Sequence, residues 1–276
     1  MASNQGNYVA ARAWLEECLA NRRQWGSLGG MATALLFLGL LAQRQGAYLL
    51  MQARNEERLA IEQSLGNTHG IAHTQYDLAV AAFWQGDTAR ATILFGASLR
   101  GFRELAAKES MAFALDGLGH LALAQGDYKA ARARFAEYLA LRREQGRTEG
   151  IAWALHWLGH VAVAQSDNAQ TAALLNESLA LFQNLRDQRG LTYVVETFAE
   201  RALAHRLPER AALLCGTVAA VREAIGSTHS FPDERFREER LVAAVRAQLD
   251  AATFAAAWAA GQALTLEQAI AEALND

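Results

Sequence analysis

A turn signal that recurs at a constant interval is the feature that most constrains the fold of this chain. The turn residues are Gly6, Gly46, Gly86, Gly126 and Ser166, so the period is 40. In one such unit, the segment from Leu115 to Leu141, two Ala- and Leu-rich stretches flank the turn Gln125-Gly126-Asp127, and their apolar residues have helical spacing. Because one helical hairpin cannot bury its apolar faces alone, the period predicts an array of stacked hairpins.

Small residues recur at fixed places in both predicted helices of each unit. The first helix carries a leucine followed by a small residue, and the pairs are Leu38-Gly39, Leu78-Ala79, Leu118-Gly119 and Leu158-Gly159. Small residues allow close approach of the paired helix, and we expect Phe95 and Phe135 to fill the space between pairs. We also expect three aspartates after the turns to cap the next helix, namely Asp87, Asp127 and Asp167.

Composition supports an all-α fold. The chain of 276 residues has only two prolines, and proline interrupts helices. Ala, Leu, Arg, Glu and Gln are abundant and favour helices, whereas no stretch alternates with the period of a strand.

The repeat resembles the tetratricopeptide repeat (TPR) family. The matching residues are Leu115, Leu118, Gly119, Gly126, Asp127, Tyr128, Ala131 and Phe135. The family's opening Trp is replaced by Leu115 and its Tyr by Ala122, and the period of 40 resembles the longer form found in bacterial signalling proteins. Over residues 6–225 the resemblance implies a right-handed α-solenoid whose first helices line a concave groove.

The C-terminal segment departs from the repeat. We expect a helix starting at Pro208, a loop over residues 226–233, and then helices over 234–249 and 251–260. Gly261 should stop the second of these, and Thr265 with Gln268 should form the capping box of a last helix. We therefore divide the chain into a TPR-like array, 1–225, and C-terminal capping helices, 226–276.

The last quarter of the chain is similar to the C-terminal end of bacterial STAND-type regulators, some of which carry LuxR-type or adenylate-cyclase domains. The matching features include Leu213-Leu214-Cys215-Gly216 and the spacing of Phe254, Trp258 and Gly261. The similarity implies a sensor region. No phosphate-binding loop occurs in the chain. Because the first unit begins inside a repeat, we expect more repeats or another domain upstream in the parent protein, with residues 1–3 as a candidate cloning remnant.

Charge and targeting signals exclude several classes of function. A net charge of −3 gives no basic field for nucleic acid or an anionic membrane. The uncharged stretch Trp25–Gln43 has an apolar part too short for a membrane span and falls in phase with the repeat. With no signal peptide and only two distant cysteines, Cys18 and Cys215, we expect a cytoplasmic protein.

Stepping by one repeat period along the first helices predicts which side chains line the groove. It should be apolar at its N-terminal end, aromatic and histidine-rich in the middle, and acidic at its C-terminal end, which suits a ligand cleft. Ordinary packing of the same aromatic residues is the open alternative. The candidate ligand-binding residues are Tyr76, Asp77, Trp84, Phe113, Asp116, His120, Trp153, His156, Trp157, His160, Tyr193 and Glu196.

Catalytic and metal signatures are weak. His156 and His160 share a helix face, but the run between them has no glutamate base and a third ligand would have to come from a neighbouring repeat. No nucleophile-elbow motif is present. We therefore expect no catalytic residue, no metal and no cofactor, with a histidine-based metal site or enzyme as the remote alternative.

The sequence as a whole predicts a non-enzymatic binding module. Its groove would take a protein, a peptide or a small-molecule effector and act as the sensing part of a bacterial signalling or transcription regulator. A free-standing TPR scaffold that joins proteins is the alternative.

Overall fold

The computed structural model describes residues 2–226 and 229–275, with side chains from residue 8 onward, and these ranges contain fourteen α-helices and no strand. The all-α prediction is confirmed. The helices are α1 (Ala2–Gln24), α2 (Leu28–Arg44), α3 (Tyr48–Ser64), α4 (Thr68–Trp84), α5 (Thr88–Glu104), α6 (Lys108–Ala124), α7 (Tyr128–Glu144), α8 (Thr148–Ala164), α9 (Asn168–Leu185), α10 (Gln188–Ala204), α11 (Pro208–Ile225), α12 (Pro232–Arg246), α13 (Ala251–Gln262) and α14 (Leu266–Leu274).

One type of turn connects the helices from α1 to α11. A residue with positive φ stands at intervals of 20, and the series is Gly26, Gly46, Gly66, Gly86, Ala106, Gly126, Gly146, Ser166, Arg186, Arg206 and Gly226. The amide that follows donates to a carbonyl five residues back, as from Asp127 N to Ala122 O at 2.9 Å, which is the Schellman pattern at a helix C-terminus. The same turn therefore joins the helices within a hairpin and between hairpins.

The residue after the turn caps the next helix. The side chains of Asp87, Asp127 and Asp167 each accept a hydrogen bond from a backbone amide three residues on, which confirms the predicted caps. Ala47 occupies the equivalent place before α3 with similar backbone angles, but it has no side-chain oxygen to accept such a bond.

Exchanging the two cap types should change stability in opposite directions. We expect Asp127→Ala to lower the free energy of unfolding by about 1 kcal/mol and Ala47→Asp to raise it by a similar amount. Chemical denaturation of both variants would measure this. If Ala47→Asp proved destabilising, the backbone geometry that Ala47 shares with the aspartate positions would not be sufficient for capping.

The chain forms two compact units, residues 1–121 and 122–276, whose boundary falls within α6. In unit 1, Leu35 and Leu38 of α2 pack with Leu19 of α1 and Ile61 of α3. In unit 2, Phe182 of α9 lies in a larger core built by α8 to α14. Phe95 and Phe135 are fully buried, as predicted. The predicted domain boundary at residue 225 stays a prediction.

The helix boundaries differ from expectation at both ends of the chain. The predicted turn at Gly6 is wrong: α1 runs through it, because a single glycine without a neighbouring proline lowers helix stability only modestly. The helix expected from Glu234 to Leu249 begins earlier, at Pro232, and ends at Arg246. Ser227 and Thr228 of the predicted loop lie outside the described residues.

Glycine 261 has a different role from the predicted one. It lies inside α13 rather than after it. The absence of a side chain permits close contact with the backbone of α11 at Leu213. The start of α11 at Pro208 and the Thr265–Gln268 capping box of α14 are as predicted. No helix in the described part of the chain combines the length and apolar character needed to cross a membrane.

Candidate functional site

A cleft of about 550 Å³ opens on the face that the first helices α2, α4 and α6 form in unit 1. Most of its lining is apolar or aromatic, and a few polar groups accompany it. The lining residues are Leu36, Leu40, Arg58, His69, His73, Tyr76, Asp77, Phe102 and Phe113. Three predicted site residues, Tyr76, Asp77 and Phe113, are therefore brought together.

A buried ion pair forms one wall of this cleft. Arg58 Nη1 donates to Asp77 Oδ2 at 3.1 Å, and Arg58 Nε lies 3.5 Å from Glu62 Oε1. The side chain of Arg58 is 7% exposed, whereas that of Asp77 is 16% exposed. Burial raises the pKa of Asp77 to about 6, although the charge and hydrogen bond of Arg58 act in the opposite direction.

His73 is a neutral group in this cleft at physiological pH. Burial lowers its pKa to about 4, and the nearby charges of His69 and Arg58 act in the same direction. Its Nε2 lies 3.1 Å from Ser110 Oγ, and its ring makes an edge contact with Phe102. His73 can therefore offer a ligand hydrogen bonding without positive charge.

Three other predicted residues of unit 1 lie outside the cleft lining. Trp84 stacks on Tyr48, with ring centroids 4.9 Å apart. His120 is buried, and its Nε2 is 3.8 Å from Asp116 Oδ1. Asp116 and His120 lie in the predicted columns along the first helices, whereas Trp84 is the last residue of α4. Trp84 packs on Tyr48, and His120 packs in the interior.

The aromatic residues predicted at the centre of the groove form an interior cluster in unit 2. The ring of Trp153 makes edge contacts with His156 and Tyr193, and it stacks near Trp157 at 6.4 Å. Trp157, His156 and Tyr193 are 2% exposed or less. Of these four side chains only Trp153 is partly accessible, beside a second cleft that it shares with Arg189.

An ionic network covers this cluster. Glu196 accepts from Arg222 Nη2 at 2.9 Å, and Glu200 accepts from Arg237 Nε at 2.7 Å. His160 Nδ1 lies 2.8 Å from Glu200 Oε2. Burial by itself would raise the pKa of Glu200, but Arg237 and His160 lower it to about 2, so Glu200 is ionised.

The arginines of this network were missed by sequence reasoning. The guanidinium carbon of Arg222 lies 4.9 Å from the Tyr193 ring centroid, and that of Arg237 lies 5.7 Å from the Trp157 ring centroid, within the range of cation–π attraction. Arg237 comes from α12, whose position the repeat period does not specify. The available sequence signal was the pair Glu196 and Glu200 at the acidic end of the predicted groove, because buried carboxylates require cations nearby.

A smaller pocket of about 250 Å³ lies beside the network. It is lined by Tyr128 of α7, His160 of α8, Glu200 of α10 and Arg237 of α12, among others. Its mixed charge fits water or a small polar group better than an apolar ligand. Among the described residues, no three His, Cys, Asp or Glu side chains are grouped so that they could hold a metal ion.

Known proteins share this fold. A family model described as Tetratricopeptide repeat matches residues 70–144. Comparison with curated protein sequences finds no match.

Solved structures resemble most of the chain. BtubC (BKLC) from P. vanneervenii has 17% identity and a TM-score of 0.64, covering 82% of this chain and 94% of its own. A Rap protein complexed with Competence and Sporulation Factor has 15% identity and a TM-score of 0.61, covering 89% and 73%. RapI in its apo form has 11% identity and a TM-score of 0.60, covering 85% and 97%. The fold is thus that of TPR-like helical repeats.

Proposed function

We propose that this chain is a TPR-like binding module that takes a protein or peptide on the first-helix face of unit 1. The observation that carries the proposal is the open cleft there. Phe37, Leu40 and Phe113 are 50%, 37% and 45% exposed on that face. Clustered exposed apolar side chains with a few polar groups are typical of a binding site.

The sensing role in a bacterial signalling or transcription regulator is the more specific part of the proposal. The resemblance of the C-terminal segment to STAND-type regulators supports it, and so does the similar fold of a Rap protein that was solved with Competence and Sporulation Factor. The natural gene tests it. A reading frame that continues upstream into a nucleotide-binding switch domain would support the role, whereas a stop codon there would favour a free-standing scaffold.

The free-standing scaffold has an observation of its own. Trp14, Leu49 and Ile93 lie on the second helices of unit 1 and are largely exposed. Apolar side chains on this other face could contact a second protein while the cleft holds the first.

Removal of one cleft side chain tests the binding function. Peptides selected for binding from a displayed library of random sequences should bind Phe113→Ala about tenfold or more weakly than the natural chain, because an aromatic anchor is lost. Ile93→Ala, which removes an exposed apolar side chain of the same unit outside the cleft, should bind as the natural chain does. Selected peptides that bind both variants with unchanged affinity would overturn the placement of the site.

A further inference from the structure

In unit 2 a helix of the chain itself lies against the first-helix face. Arg237 of α12 reaches α10, where its Nη2 donates to Thr197 Oγ1 at 2.7 Å and its Nε donates to Glu200. The same guanidinium lies over the ring of Trp157 on α8. Leu241 and Val245, one and two turns further along α12, are buried. The buried side of α12 thus carries the basic Arg237, the acidic Asp233 and Glu234, and apolar residues further along the helix, and Glu234 accepts from Tyr193 Oη of α10 at 2.7 Å.

Two of the equivalent positions in unit 1, those of Asp77 and Leu40, line the cleft, whereas Val80 and His120 at further equivalent positions are buried. Counted in whole repeat periods, Asp77 corresponds to Trp157 and Thr197, and Leu40 corresponds to His160 and Glu200. In unit 1 the acidic group is therefore Asp77, and the aromatic surfaces come from Tyr76 and Phe113, whose ring centroids are 6.4 Å apart.

Asp77 retains capacity to accept a hydrogen bond. Its Oδ2 is bonded to Arg58 Nη1, whereas its Oδ1 receives no hydrogen bond from any described residue. Arg58 is itself shared with Glu62, so two carboxylates face one guanidinium. Because Arg58 is almost fully buried while Asp77 is partly exposed, a ligand in the cleft meets the unbalanced negative charge first.

From this arrangement we propose that the unit 1 cleft binds an amphipathic helix of a partner protein through a Lys or Arg that donates to Asp77 Oδ1. The apolar face of that helix packs on Leu36, Leu40 and Phe113, and the stem of the basic side chain lies against Tyr76. The inference rests on the proposed binding function and specifies the chemistry of the partner. An anionic partner is disfavoured, because Arg58, the one Arg or Lys among the described lining residues, is already engaged by two carboxylates.

Binding should weaken in acid. A donor on Oδ1 binds the ionised form of Asp77, whose pKa of about 6 in the free chain follows from burial opposed by Arg58. Affinity for a basic helix is therefore fully present above that pKa and falls as the pH drops through it. The other charged or titratable lining residues are Arg58 of α3 and His69, His73 and Tyr76 of α4, and Glu62 lies 3.5 Å from Arg58. Protonation of His73 would repel a cation in the same direction.

The library-selected peptides provide the test on the full chain. We expect the natural chain to enrich peptides with one Lys or Arg among apolar residues at helical spacing. Replacing that basic residue with norleucine should weaken binding about tenfold, as should Asp77→Asn in the protein. Glu57→Gln, which removes the same charge from α3 outside the cleft, should leave the affinity unchanged.

Each outcome separates this inference from the function on which it rests. If norleucine peptides bind with unchanged affinity, or if the selected sequences contain no basic residue, the inference is overturned. The proposed binding function would still stand as long as binding depends on Phe113. Peptides insensitive to Phe113→Ala would overturn both. Because the norleucine comparison uses the natural protein, it decides the question even if Asp77→Asn folds poorly.

Discussion

Replacing Glu196 with methionine should lower the free energy of unfolding by about 3–5 kcal/mol. Glu196 is 2% exposed, and it receives two hydrogen bonds from the guanidinium of Arg222. Its carboxylate also lies 3.6 Å from Arg237. Without it, Arg222 still pairs with Glu238 and Arg237 with Glu200, but these two buried guanidiniums share less negative charge. Chemical denaturation followed by far-ultraviolet circular dichroism would measure the loss.

A second substitution shows whether the effect comes from the lost negative charge. Replacing Glu196 and Arg222 together with methionine should be less destabilising than Glu196→Met alone, since apolar residues often replace a buried ion pair at little cost. Glu177→Gln serves as the surface control. Glu177 and its partner Arg143 are both about half exposed, so loss of the Glu177 charge should change the free energy of unfolding by about 1 kcal/mol or less. A double variant less stable than the single one would contradict the charge explanation.

The repeat made much of the fold predictable from sequence. Asp87, Asp127 and Asp167 cap their helices as expected, because capping depends on a side-chain oxygen and local backbone angles alone. The turns at Ala106 and Arg206 were harder to foresee, because neither residue favours positive φ. There the packing of the flanking helices imposes a conformation that the local residues do not signal.

The candidate site was predictable only where the repeat continues. Tyr76, Asp77 and Phe113 line one cleft because they lie on successive first helices. The period also aligned Trp153 with Tyr193, whose rings make an edge contact, but it left open whether the aromatic residues of this region are buried. Their surroundings include Arg237 of α12, and α12 follows residue 226, where the turn series ends. The acidic end of the predicted groove is thus held by an intramolecular helix.

Adding a methyl group to Gly261 should have an effect of similar size to the loss of Glu196. A β-carbon at Gly261 would overlap the carbonyl oxygen of Leu213 on α11, and one at Gly216 of α11 would overlap that of Trp258 on α13. The two helices therefore meet backbone to backbone, and Thr217 Oγ1 donates to the carbonyl of Gly261 at 2.7 Å. Because backbone cannot move aside as a side chain can, we expect Gly261→Ala to be destabilising by about 3 kcal/mol, at the upper end of overpacking effects.

The matched control is Gly96→Ala in the middle of α5. A β-carbon there meets only the end of the Arg100 side chain at 3.6 Å, so the change should stabilise the chain by about 0.5–1 kcal/mol through the lower backbone entropy of alanine in the unfolded state. Opposite signs for the two Gly→Ala changes in chemical denaturation would show that packing of α13 on α11 determines the first. A Gly261→Ala variant as stable as the natural chain would mean that α13 can shift along α11 without loss, and the Thr217 hydrogen bond would then contribute little to holding the C-terminal helices in place.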